Sequence, residues 1–158
     1  MTMTGRAWVF GDDVDTDVLA PGAYMKGGIE ALAAHCLEAI DPQFAAAVRP
    51  GDVVVAGRNF GVGSSREQAA EALKVLGVSA VVAVSFAGIF YRNAINLGLP
   101  VLVLSDPEGI ADGAPCRLDL GTATLSVDGR AFALEPIPDN LQILLADGGL
   151  VPHLKKRF

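Results

Sequence analysis

The chain has 158 residues, of which 51% are hydrophobic and 19% charged, enough to bury a sizeable core and too apolar to be disordered. A net charge of -6 argues against a general nucleic-acid or anionic-membrane binder, because Lys155-Lys156-Arg157 is the one basic cluster. No apolar run approaches a membrane span and Met1 to Arg6 lacks a signal-peptide core, so a cytoplasmic protein without membrane contacts is expected.

In chain order, Ala7 to Gly11 reads as a short strand and Asp12 to Gly28 as a Gly- and Pro-punctuated loop. Apolar residues at 29, 32, 33, 36, 37 and 40 predict a helix over Ile29 to Ile40, stopped by Asp41-Pro42. Val53-Val54-Val55-Ala56 is a continuous apolar run and predicts a strand buried on both faces. A helix over Arg66 to Leu76 follows, then a strand over Ala80 to Val84. Phe86 to Leu97 predicts a helix with Ile89, Phe90, Ala94 and Leu97 inward, and Leu99 to Leu104 another strand. This alternation defines an α/β fold with a mainly parallel sheet.

Beyond Asp106 the texture changes. Cys116 to Leu120, Thr124 to Val127 and Arg130 to Leu134 read as a small antiparallel β layer, with a hairpin turn at Asp128-Gly129. Asp139 is placed as the cap of a last helix over Asn140 to Ala146. No linker or repeat interrupts the chain, so residues 1–158 are read as a single domain.

The segment richest in chemistry is Gly57 to Gln68, which leaves a buried strand and opens a helix. Gly61-Val62-Gly63 permits tight turning and close backbone approach. Ser64, Ser65 and Arg66 then place two hydroxyls and a guanidinium at a helix N-terminus, a setting that suits a carboxylate or phosphate. Neither a dinucleotide fingerprint nor a P-loop fits, for Arg66 stands where a third glycine belongs and no Gly-Lys-Ser/Thr follows. Plain capping competes with the anion site: Ser64 with Glu67, or Ser65 with Gln68, spells a capping box.

Asp12, Asp13, Asp15 and Asp17 crowd four carboxylates into six residues, which calls for solvent, a cation or nearby donors. Val18 and Tyr24 stand where a calcium loop needs glycine and glutamate, so an EF-hand is rejected. Tyr24 and Lys26 sit in a Gly-flanked segment, displayed on a mobile loop or simply at the surface. Behind Ser85, read as an N-cap, Arg92 and Asn93 face either a ligand or solvent. Cys36, Cys116, His35 and His153 are isolated, so a complete metal or iron–sulfur ligand set is absent from the sequence.

Gly61-x-Gly63-Ser64-Ser65-Arg66-Glu67, Asp15-Thr16-Asp17 and Ser85-Phe86-Ala87 with Ile89, Phe90 and Asn93 together resemble the small subunits of 3-isopropylmalate dehydratase, the free-standing form of the aconitase-superfamily swivel domain. The resemblance runs from about Gly11 to Leu104. It implies a swivelling β/β/α fold and a hydro-lyase active only with a large subunit, as a heterodimer or heterotetramer. The large subunit would carry a [4Fe-4S] cluster, with none on this chain. The implied reaction interconverts 2- and 3-isopropylmalate by dehydration and rehydration, in leucine biosynthesis. Homoaconitate or a methylated malate is the alternative substrate, and a non-catalytic anion-binding module the alternative of another class.

Carried over residue by residue, Ser64 resembles the alkoxide base and Asp17 a catalytic aspartate. Ser65 and Arg66 resemble carboxylate-binding residues, with Thr16 beside them. Val62 and Gln68 depart from the family pattern without replacing Ser64 or Arg66. In the family the loop after Pro21 reads the substrate's variable arm. Here it is Tyr24-Met25-Lys26-Gly27, which leaves open an apolar arm against Tyr24 and Met25 or a carboxylate on Lys26.

Overall fold

A computed structural model describes residues 2–157. Seven strands form one sheet: β1 (Thr2–Val9), β2 (Val53–Ala56), β3 (Ala80–Ala83), β4 (Val101–Val103), β5 (Pro115–Asp119), β6 (Thr124–Val127) and β7 (Arg130–Ala133). Their order is β4-β3-β2-β1-β5-β6-β7. The β4-β3-β2-β1 half is parallel and the β1-β5-β6-β7 half antiparallel. The predicted antiparallel layer is therefore continuous with the parallel sheet rather than separate from it.

The apolar runs explain the layering. Along β2, Val54 and Ala56 join one core while Val53 and Val55 join the other, and β3 divides likewise. The first core lies under the helices α4 (Glu67–Val75) and α5 (Gly88–Asn96), which carry the parallel crossovers. The second is closed by the inner residues of the antiparallel strands, Cys116, Leu118, Leu125, Val127 and Phe132. The sheet so covers one face of itself and helices cover the other, in agreement with the β/β/α expectation.

Several boundaries differ from the sequence reading. The first strand begins at Thr2 rather than Ala7, because its polar half pairs with β5 and only Ala7 to Val9 pair with β2. The loop read over Asp12 to Gly28 contains α1 (Thr16–Leu19) and a 3-10 turn at Gly22–Gly27. The helix read over Ile29 to Ile40 is the short α2 (Gly28–Ala33) followed by turns. Leu37 there takes a left-handed φ of 61° and its N–H donates to the Val18 carbonyl at 3.0 Å. Leaving the helix lets Leu37 reach the core, so tertiary packing overrides the 3.6-residue spacing.

Short α3 (Phe44–Ala47) sets Phe44 edge-on against Trp8 and Phe10. The helix read as capped by Asp139 is α6 (Asp139–Ala146), whose N-cap is Pro138. A further helix, α7 (Leu150–Arg157), follows Gly148-Gly149, held to α6 through Asp147, which pairs with His153 at 2.7 Å and Lys156 at 2.9 Å.

Asp52, 2% exposed, ties β1 to the turn before β2. Its carboxylate accepts from the Arg6 and Arg49 amides and from Trp8 Nε1, each at 2.9 Å. Burial alone would raise its pKa, but these three donors outweigh it and hold the group below the ordinary 3.8. Its stabilising contribution is then fully present above that value and lost as pH falls through its own lower one. Asp52→Ala is expected to cost about 3 kcal/mol in urea unfolding at pH 7, since three buried donors lose a charged acceptor. The gap to wild type should narrow when the titration is repeated below the ordinary aspartate value.

Candidate active site

The Gly57–Arg66 loop leaves β2 and folds onto α1 and the start of α5. Gly61 N–H donates to the Val14 carbonyl at 2.7 Å and Thr16 N–H to the Val62 carbonyl at 2.8 Å. Gly61 and Gly63 have φ of 82° and 118°, conformations that L side chains rarely adopt. A Cβ on Gly61 would lie 2.3 Å from Phe90 Cγ, and one on Gly63 2.9 Å from Thr16 Oγ1. Both glycines are thus required for Ser64 to reach Thr16. The two hydroxyl oxygens stand 3.4 Å apart, a loose contact that leaves Ser64 Oγ available. Thr16 is only 4% exposed and Ser64 lies in the open.

Neither capping box forms. The N-cap of α4 is Arg66, with φ -115° and ψ 106°, and no side chain caps the helix. The hydroxyls of Ser64 and Ser65 are accordingly not consumed by the helix start. Glu67 in the first turn offsets part of the helix dipole, so the Arg66 guanidinium is the principal positive group here.

Arg66 Nη1 donates to Asp17 Oδ1 at 2.8 Å and to the Ala20 carbonyl at 2.9 Å. Both bonds use one nitrogen, which fixes the fork while Nη2 and Nε stay clear of them. Asp17 also accepts from Gly22 N–H at 3.1 Å. The Arg66 hydrogen bond, with Gly22 second, holds its carboxyl below the ordinary 3.8, so it is ionised at neutral pH.

The other carboxylates of the acidic segment are held by donors too. Asp12 accepts from Arg58 N–H, Asp13 from Asn59 Nδ2 and Asp15 from Val18 N–H, at 2.7, 3.0 and 2.8 Å. These donors relieve part of the crowding that the sequence showed.

Thr16, Ser64 and Arg66 line one side of a cleft of about 170 Å³, and Ala87, Phe90 and Asn93 line the other. Of the residues singled out in the sequence, Ser64, Arg66 and Thr16 are brought together here, with Asp17 joined through Arg66. Ser65 is exposed beside the cleft without lining it. Tyr24 and Lys26 do not line it either. Tyr24 stacks on His35 with ring centroids 3.5 Å apart and planes at 5°, and Lys26 is exposed at the end of the 3-10 turn.

Asn93 faces the cleft, whereas Arg92 is exposed and does not line it. Ser85 is not an N-cap: Ala87 caps α5, and Ser85 Oγ accepts from Asn59 N–H at 2.9 Å. Ile89, read as inward, lies at the mouth of the cleft. The near-adjacent residues Phe90 and Asn93 on one helix were the available signal for this wall.

Among the described residues no three His, Cys, Asp or Glu side chains gather to hold a metal ion. Burial pushes the Cys36 thiol up to about 12, and burial followed by the charge of Asp52 pushes Cys116 to about 11, in separate cores. This donor set does not fit an iron–sulfur cluster, which needs several gathered thiolates.

This half-open cleft, lined by two hydroxyls and a guanidinium with the Asp17 carboxylate bound to that guanidinium, sits in a fold of known kind. The chain belongs to the aconitase C-terminal domain family, whose model matches residues 28–107. Among relatives, a 3-isopropylmalate dehydratase small subunit 2 of Archaeoglobus fulgidus is 50% identical over 160 residues, 99% of this chain and 96% of that protein. A methanogen homoaconitase small subunit of Methanothermobacter thermautotrophicus is 48% identical, covering 96% of this chain and 90% of its own. The crystal structure of a 3-isopropylmalate dehydratase from Methanocaldococcus jannaschii superposes with TM-score 0.94 at 46% identity, over 99% of this chain and 95% of that one.

Proposed function

We propose that residues 1–158 act as one swivel-type unit, the small subunit of a two-subunit hydro-lyase that interconverts 2- and 3-isopropylmalate. The observation that carries this reading is the meeting of Ser64, Thr16 and Arg66 with Asp17 at one cleft, in a chain about half identical to such subunits along nearly its whole length. In this reading Ser64 Oγ, as alkoxide, takes the carbon-bound proton of the hydroxy acid. The hydroxyl leaves as water once an acid that the large subunit would supply protonates it, and an enoate forms. On rehydration that acid's base takes a proton from water, and the hydroxyl adds to the carbon that lost its proton. Ser64 returns that proton to the carbon that lost the hydroxyl. Arg66 binds a substrate carboxylate through its remaining N–H groups, aided by Ser65. Asp17 keeps the guanidinium in place and orients the proton path. Thr16 holds the 61–64 loop and the Ser64 hydroxyl.

A large subunit completes the site in a heterodimer or heterotetramer. It would carry the [4Fe-4S] cluster, which supplies a Lewis acid for the departing hydroxyl when present. The setting would be leucine biosynthesis in the cytoplasm; no described helix is long and apolar enough to cross a membrane. Homoaconitate is the second reading, favoured by the methanogen relative.

Anaerobic capture of the chain with its partner from native lysate tests this. A stoichiometric iron–sulfur protein should come down, and the complex should hydrate isopropylmaleate. A complex without iron, or tight malate binding by the chain alone, would instead support a binding module.

A further inference from the structure

Four polar side chains line the cleft among the described residues: Thr16, Ser64 and Arg66 on one side, and Asn93 of α5 on the other. The first three have roles in the reading above, and Asn93 has none. Resting on that dehydratase reading, we propose that Asn93 is a further catalytic residue. Its Nδ2 donates to the substrate carboxylate on the carbon that Ser64 deprotonates, across the cleft from Arg66, and stabilises the charge that this carboxylate gains as the proton leaves.

The fold does not use this amide. The hydrogen bonds of the region run between Thr16 and Ser64 and from Arg66 to Asp17 and Ala20, and none among the described residues engages the Asn93 side chain. Asn59 is the contrast, since its Nδ2 donates to Asp13 at 3.0 Å. Among the described residues no buried side-chain nitrogen or oxygen lacks a partner, so the unpaired amide of half-buried Asn93 is open to the cleft. Asparagine is also a weak helix former, because its side chain competes for backbone groups. Inside the nine-residue α5 it caps nothing: the N-cap is Ala87 and the C-cap Leu97.

The reaction calls for such a donor. When the C–H bond breaks, its proton passes to Ser64 Oγ and its electron pair spreads into the adjacent carboxylate. That pair becomes the second C–C bond of the enoate when the C–O bond breaks and its own pair leaves with the hydroxyl. Between these events the carboxylate oxygens are more negative than in the bound substrate. A donor aimed at them is worth more in the transition state than in the ground state, and so lowers the barrier. Arg66 is the sole charged side chain among the described residues lining the cleft, and Asp17 already offsets part of its charge.

The donor is also fixed in place. Asn93 lies one turn beyond Ile89 and Phe90, on the face that α5 turns to the cleft. Its neighbours Ala94 and Ile95 are buried, and Phe90 packs edge-on against Phe60 at 5.1 Å. Ala87 N–H donates to the Phe60 carbonyl at 3.0 Å. Phe60 belongs to the loop that carries Ser64, so the two walls hold their spacing before substrate arrives. A donor positioned in advance needs no reorganisation as the charge develops.

The test uses the anaerobically purified two-subunit complex and 2-isopropylmalate deuterated at the carbon that loses the proton. Asn93→Ala is expected to lower kcat by about 10²-fold, the scale of one lost oxyanion donor, with KM changed by less than about threefold. Its deuterium isotope effect on kcat should exceed the wild-type value, because proton abstraction becomes slower than the other steps. Asn93→Asp keeps the shape of the side chain but has no donor when ionised. Its kcat should fall at least as far at alkaline pH, then recover relative to Asn93→Ala as the carboxyl gains an O–H donor in acid. Subunit affinity and urea midpoint, measured alongside, should match wild type. Unchanged kcat in Asn93→Ala, or a raised KM at constant kcat, would overturn the proposal. So would an Asn93→Asp profile parallel to that of Asn93→Ala, or losses accounted for by weakened assembly or a lowered midpoint. Wild-type complex that turns over no isopropylmalate fails the dehydratase reading, and this role with it. Failure of the Asn93 role alone leaves wild-type turnover intact.

Discussion

Ser64→Ala in the assembled complex is expected to lower kcat by roughly 10²–10⁴-fold, the usual contribution of a positioned base. Ser64 is the exposed hydroxyl of the cleft, while Thr16, its neighbour at 3.4 Å, is buried and bonded through its amide to the loop. Thr16 is thus placed to hold Ser64 and not to substitute for it. Losing one exposed oxygen removes no packing, so stability and affinity for the large subunit should be unchanged. Steady-state hydration of isopropylmaleate, with assembly followed by sedimentation, checks both halves. Near wild-type turnover in the variant would remove Ser64 from the mechanism.

Gly61→Ala is expected to destabilise the chain by about 3 kcal/mol or more, read as a shift in urea midpoint. An added methyl would sit 2.3 Å from Phe90 Cγ, inside van der Waals contact with a buried ring that packs on Phe60. The φ of 82° adds the cost of a left-handed alanine. Either the loop lifts or α5 moves, and each separates Ser64 from the opposite wall. Activity should therefore fall by more than the unfolded fraction explains. A variant with wild-type midpoint would show that the loop has freedom the close contact denies.

The parts of the fold legible in the sequence are those in which one local cause decides the outcome. Val53 to Ala56 has no polar residue to turn toward water, so a strand buried on both faces was the available solution. Asp128-Gly129 takes the paired positive φ values, 50° and 78°, that a two-residue hairpin needs. The turn before α4 was legible for the same reason: Gly61 and Gly63 take the positive φ values, 82° and 118°, that a tight turn of this kind uses.

What stayed hidden depends on distant partners. Thr2 to Arg6 is polar and becomes a strand only because β5 lies beside it. The helical spacing through Cys36 and Leu37 is real, yet Val18 draws the Leu37 amide away from it. Both serines spell a capping signature, but Arg66 takes the extended cap position once its side chain is bound to Asp17 and Ala20. Ile89 faces outward because α5 begins at Gly88, which turns Phe90, Ala94 and Ile95 to the core instead.

The divided pairing of β1 bears on how the chain is made. Its Ala7–Val9 half can join β2 early, but Thr2 waits for Asp119 and Arg6 for Pro115. Contacts so distant along the chain form late and slow folding. During ribosomal synthesis the helix-covered core can assemble while the opposite face of β2 and β3 still lacks its cover. A chain truncated before Pro115 would therefore leave Val53, Val55, Ala80 and Val82 without the cover that the antiparallel strands give them.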